Sequence, residues 1–96
     1  MDLKSDYEQH KGDYVKMFTS DGFFIGKLKE ISNNSLILNP FLDDLYDSNG
    51  NKSIKLTEGD FIYSRGNVRG VRPCAKKSID GLIKHTNNSL KNDSSN

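Results

Sequence analysis

Phe61-Ile62-Tyr63-Ser64-Arg65-Gly66-Asn67-Val68-Arg69-Gly70-Val71 sets two short apolar runs, Phe61 to Tyr63 and Val68 to Val71, on either side of a polar centre. Aromatic and β-branched residues suit strands, and glycine beside polar residues suits a turn, so the segment reads as two strands meeting at a turn. The turn presents a cation (Arg65), a backbone position without a side chain (Gly66) and a planar amide (Asn67) together. A guanidinium pairs with phosphate or stacks on a base, glycine lets a ligand approach the main chain, and an amide hydrogen-bonds a base edge. The same residues also make an ordinary hairpin turn, so the motif takes its meaning from what the rest of the chain puts beside it.

Upstream, the chain repeats the pattern of strand and turn. From Asp13, Tyr14, Lys16 and Phe18 alternate with Val15, Met17 and Thr19, and period alone leaves open which set faces inward. Ser20-Asp21-Gly22 signals a turn, and Phe23 to Ile31 resumes as a long strand. Gly26, flanked at plus and minus two by Phe24 and Leu28, permits a sharp bend, while Lys27 and Lys29 mark the opposite face as the wet one. Ser32-Asn33-Asn34 turns the chain again into Leu36-Ile37-Leu38. Pro40 cannot donate to a ladder, so this strand either bulges at Asn39-Pro40 or runs along an edge before continuing through Phe41-Leu42. Asp47-Ser48-Asn49-Gly50-Asn51 is the strongest turn signal; its aspartate, asparagine and glycine are ingredients of a calcium loop, but the terminal bidentate glutamate is missing. Lys52 to Tyr63 then reads as one strand with Gly59 as a bulge, and Val68 to Arg72, stopped by Pro73, as the last of five.

The ends differ from the middle. Leu3 and Tyr7 stand at i, i+4 in an otherwise polar run, the spacing of a short helix broken at Gly12. Ile79, Leu82 and Ile83 form one short helical stripe after Pro73, and from Thr86 the chain is almost all Asn, Ser, Lys and Asp, too polar to offset the entropy of ordering.

Ninety-six residues with 33% apolar content make one domain with a modest core, and a formal charge of +1 argues against coating nucleic acid by bulk electrostatics. Any anion site must be local. The one asymmetry is the basic cluster Arg65, Arg69, Arg72, Lys76, Lys77 and Lys84, which suits either phosphate contact or plain solubility. A single cysteine, Cys74, excludes an internal disulfide and a thiolate-rich zinc site. No apolar run approaches the roughly 20 residues of a membrane span. Without a basic-then-apolar leader, the expected location is the cytoplasm, or the nucleus in a nucleated cell. His10 and His85 have no nucleophile in a recognisable setting, and Asp43, Asp44, Glu58 and Asp60 read as a solvated face, so no enzyme and no cofactor are expected.

A helix, five strands, a glycine-bent second strand and an Arg-Gly turn between the last two strands together resemble the Sm-like (LSm) family, over roughly residues 13 to 73. The family's first motif runs from a D/N-G turn through G-x-L to a D-x-x-M-N loop and L-x-L; here the pieces are Asp21-Gly22, Gly26-Lys27-Leu28, Ser32-Asn33-Asn34-Ser35 and Leu36-Ile37-Leu38. Its second motif, I-R-G-N/D-x-V, is met by Ser64-Arg65-Gly66-Asn67-Val68. Both loops are one residue shorter than usual, and the methionine and asparagine positions carry Asn34 and Ser35.

The resemblance implies a strongly bent five-stranded antiparallel sheet or open SH3-like barrel over 13–73. An N-terminal helix would occupy 1–12, and a C-terminal extension 74–96, with a short helix and then a disordered end. It further implies subunits joined edge to edge in a ring, with Asn33, Asn34, Arg65, Gly66 and Asn67 lining a pore that holds single-stranded, uridine-rich RNA. The partners would be RNA and other Sm-like subunits, the same or different, with no membrane and no small-molecule substrate. The alternative is a monomeric or dimeric Sm-like module that captures peptides, with exposed residues such as Phe23 or Tyr46 forming the groove.

Overall fold

The structure is a computed structural model that describes the backbone of residues 7–94 and the side chains of residues 7–88. The first half of the helix expected over residues 1–12 lies outside this range; the described part is helical at Tyr7 and Glu8 and then turns through Gly12. Six strands follow: β1 (Tyr14–Thr19), β2 (Gly22–Ile31), β3 (Ser35–Tyr46), β4 (Lys52–Thr57), β5 (Phe61–Ser64) and β6 (Val68–Pro73), with a 3-10 turn at Arg65–Asn67 between the last two. A long helix, α1 (Lys76–Ser94), closes the described chain. All pairings are antiparallel, in the order β4-β3-β2-β1-β6, and β5 also pairs with β3.

The alternation left open in β1 is settled by burial. Val15, Met17 and Thr19 face the core with Leu28, Ile31, Leu36 and Leu38, while Tyr14, Lys16 and Phe18 lie on the outer face. Phe24, Phe41, Phe61 and Tyr63 pack against this core, their ring centroids 4.9 to 6.1 Å apart. At that spacing tilted aromatic rings add attraction beyond the area they bury.

The bend at Gly26 has a steric cause. A Cβ there would stand 2.7 Å from the Pro40 carbonyl oxygen and 3.0 Å from both Leu38 Cβ and Phe41 Cα. At the same place β3 bulges: Gly26 pairs with Phe41 but Leu28 with Leu38, so β3 carries one residue more than β2 across the step. Of the two outcomes expected at Pro40 the bulge is the one found, since β3 lies in the interior of the sheet.

The sheet has six strands where five were expected. Lys52 to Tyr63 divides because Gly59, at φ +136°, turns the chain in a conformation that side chains rarely adopt. Asn39 holds this corner from β3, accepting from Gly59 N at 3.1 Å and donating to Asp60 at 2.8 Å; Lys29 of β2 reaches the same Asp60 oxygen at 2.9 Å. The contact holds the Asp60 carboxyl below its ordinary pKa, chiefly through the hydrogen bond from Lys29, and raises Lys29 in return. β4 and β5 thus both pair with β3 on either side of its own bulge, β4 with Phe41–Tyr46 and β5 with Ser35–Leu38.

The helix also runs further than expected, to Ser94 rather than ending near Thr86. Its anchor is Asn87, whose amide accepts from Ile54 N at 3.1 Å and donates to Ile54 O at 3.2 Å, so one side chain satisfies both outward backbone groups of a β4 edge residue. At the other end Lys76 Nζ sits 6.0 Å from the Tyr14 ring of β1. From Lys76 to Asn87 a helix rises about 16 Å, close to the roughly 14 Å between β1 and β4. The helix therefore lies across the outer face of the sheet. Ile25, Ile54 and Ile79, all buried, stand apart from the main core cluster, and strand parity places Ile25 and Ile54 on that outer face.

Candidate nucleic-acid interface

The polar centre of the opening segment is the 3-10 turn Arg65–Asn67, held from two sides. On one side Arg65 N donates to Asn34 O at 2.9 Å, and Arg65 Nη1 donates to Ser32 O at 3.1 Å. On the other, Ser20 N donates to Asn67 O at 3.1 Å, and the Tyr63 hydroxyl donates to the Asp21 carboxylate. The curvature of β2 lets one short turn bridge the loops at both ends of that strand.

Consequently the five residues singled out from the sequence gather on one rim. Asn33, Asn34, Gly66 and Asn67 are exposed, and Arg65 is half-buried, its guanidinium 5.7 Å from the Tyr7 ring. The side-chain amides of Asn33, Asn34 and Asn67 have no hydrogen-bond partner among the described residues, which leaves them open to a ligand. Gly66 does not occupy a left-handed conformation, and a Cβ there would meet only Ser64 Oγ at 4.0 Å. Its missing side chain leaves space over the main chain. Arg65 spends part of its donor capacity inside the protein, binding the Ser32 carbonyl across the rim.

Ser32 is the residue that sequence reasoning passed over. Its Oγ accepts from Asn34 N at 3.2 Å and Ser35 N at 3.0 Å and lies 3.1 Å from Ser35 Oγ, while Ser32 N donates to Ser35 O at 2.9 Å. The signal was present, since serine ahead of a polar pair favours such a turn. Ser35 is absorbed in this turn, so the free amides come from its neighbours.

The basic cluster does not form one surface. Arg65 turns to the rim, Lys76 pairs with Asp80 at 2.8 Å on the helix, and Arg69 and Arg72 lie on β6 beside the outer residues of β1. In the Asp47 loop, Oδ1 of the aspartate accepts from Asn49 N at 2.8 Å and Asn51 N at 2.9 Å, which holds its pKa below the ordinary value. No group of three or more potential metal ligands occurs among the described residues.

Fold and rim define a small, mainly β domain, one antiparallel sheet crossed by a helix, that exposes unpartnered amides at a three-loop junction. In comparison with known proteins, no family model matches this chain and no curated protein matches it. No helix among the described residues is long and apolar enough to cross a membrane.

Proposed function

We propose that this chain is an Sm-like RNA-binding protein whose subunits join edge to edge in a ring and hold single-stranded, uridine-rich RNA at the rim of Asn33, Asn34, Arg65, Gly66 and Asn67. Its service would be RNA processing or ribonucleoprotein assembly in the cytoplasm, without a catalytic step. The observation that carries this reading is the hydrogen bond from Arg65 N to Asn34 O, which brings two separate polar turns onto one surface with their amides free. A base needs such a combination: planar amides for its edge and a guanidinium face for its ring. The edges support the assembly, because β5 pairs with β3 alone and β6 with β1 alone among the described strands. A head-to-tail contact between such edges closes into a ring when the rotation allows.

The test is titration of labelled oligouridine by fluorescence polarisation. Asn33→Ala and Asn67→Ala each weaken binding about tenfold, and the exposed helix substitution Lys84→Ala leaves it unchanged; equal losses from all three would reduce the site to diffuse charge. One observation favours the alternative of a monomeric or dimeric peptide-binding module. Phe23, 54% exposed, lines a surface cavity of about 240 Å³ with Phe24, Ile25 and Leu42. A chain that stays monomeric and ignores oligouridine would point there.

A further inference from the structure

A second surface lies next to the rim, on the outer face of β1 and β6. Strand parity would send Arg69 inward, because Val71, two residues on, pairs with Met17 and packs on the core. It does not go there. Phe18 pairs with Gly70 and Thr19 with Val68, so Arg69 is the extra residue of a bulge. Such a bulge re-aims a side chain, and Arg69 is exposed and lines a groove of about 340 Å³ with Phe18, Gly70, Val71 and Arg72. The floor is Gly70, where an added Cβ would find nothing within 4 Å. One wall is Phe18, with the Arg72 guanidinium 5.7 Å and Lys16 Nζ 5.4 Å from its ring. Lys16, Arg69 and Arg72 take part in no ion pair among the described residues, whose pairs are Lys29–Asp60, Lys52–Asp44 and Lys76–Asp80. Two cations beside one aromatic ring, one of them, Lys16, shared with the Phe23 ring at 4.0 Å, a third cation lining the same groove, and an open glycine floor match a polyanion with flat groups along it.

We infer that this groove is a second contact for the same single-stranded RNA, an exit path in which phosphates sit between Arg69 and Arg72 and one nucleotide lies over Gly70 against Phe18. The inference rests on the RNA-binding reading of the rim. Its position fits: Arg69 follows the rim residue Asn67 by two positions, and the five steps from Asn67 to Arg72 cover about 17 Å of strand. A strand leaving the rim along β6 meets the groove next.

The experiment compares a short oligouridine, sufficient for the rim alone, with a longer one, using the full chain and checking that each variant keeps the parent's unfolding midpoint and native mass, because β6 is also an edge assigned to assembly. The Arg69→Ala/Arg72→Ala double variant loses about tenfold affinity for the longer RNA and none for the short one. The slope of log affinity against log salt also falls by about 1.4, or 0.7 for each phosphate contact. Gly70→Val, which fills the groove without removing charge, weakens the longer RNA but keeps the salt slope. Losses equal for both lengths, no loss in the double variant, or no effect of Gly70→Val would overturn the exit path. If Asn67→Ala binds both lengths normally while the groove variants weaken the longer one, the rim reading fails and the groove stands. If the unaltered chain binds neither RNA, both fall.

Discussion

Gly26 shows how one missing side chain shapes the molecule. Its place in a strand, between Phe24 and Leu28, already marks a bend in the sequence, but the reason is visible only in three dimensions, where the bulged corner of β3 presses the Pro40 carbonyl against it. A Cβ at 2.7 Å from backbone oxygen cannot be relieved by rotating a side chain; β2 and β3 must separate. Gly26→Ala is therefore expected to cost about 1–3 kcal/mol, the usual penalty of overpacking. Urea denaturation checks it, with Gly66→Ala as the control: that position has open space and an ordinary backbone, so its midpoint stays within about 0.5 kcal/mol of the parent.

Strands were the most legible part of this chain because alternation is local: Phe24 and Leu28 declare a face within a few residues of one another, and β1 shows its alternation though not which set turns inward. What depended on distant partners was not legible. The division between β4 and β5 that Gly59 makes is held by Asn39, some 20 residues away, and the inward set of β1 is settled only by the burial of Val15 and Met17 against residues of β2 and β3. The rim was half legible: its turn residues announce themselves, whereas the ties from Ser32, Asp21 and Tyr63 that hold the turns together do not. α1 is the clearest case. Its last turns are too polar to predict order, yet Asn87 supplies both hydrogen bonds that Ile54 lacks within the sheet. Replacing Asn87 by Ala leaves a part-buried N–H and C=O without partners and should cost about 1–2 kcal/mol. Hydrogen exchange gives the sharper reading: the Ile54 amide loses protection, while amides of β1 and β2 exchange as before. If Ile54 stays protected, the helix is held by apolar contact alone.

Seen as a whole, the molecule treats its two ends of sheet differently. On the β4 side the edge is engaged by Asn87, a device that occupies backbone groups another chain would otherwise seek. Among the described residues nothing comparable intervenes on β5 and β6, and Ile62, 64% exposed, stands in β5 with no charged residue beside it in that strand. A sheet that guards one edge and leaves the neighbouring one bare has the asymmetry a head-to-tail assembly requires, since each interface must join two different edges. Lysine is the residue that natural sheets place on edges meant to stay single. Ile62→Lys should thus leave the isolated fold within about 0.5 kcal/mol of the parent, because the side chain already faces water, yet abolish assembly. Native mass spectrometry reads the outcome: about six or seven times the chain mass for the unaltered protein, and the single-chain mass for the variant. Binding of oligouridine should fall with it, because a rim built from one copy offers a single base site where a ring offers several joined by one RNA. An unaltered protein that is already single, with Ile62→Lys indistinguishable from it, would remove the ring and leave the rim to be judged on its own affinity.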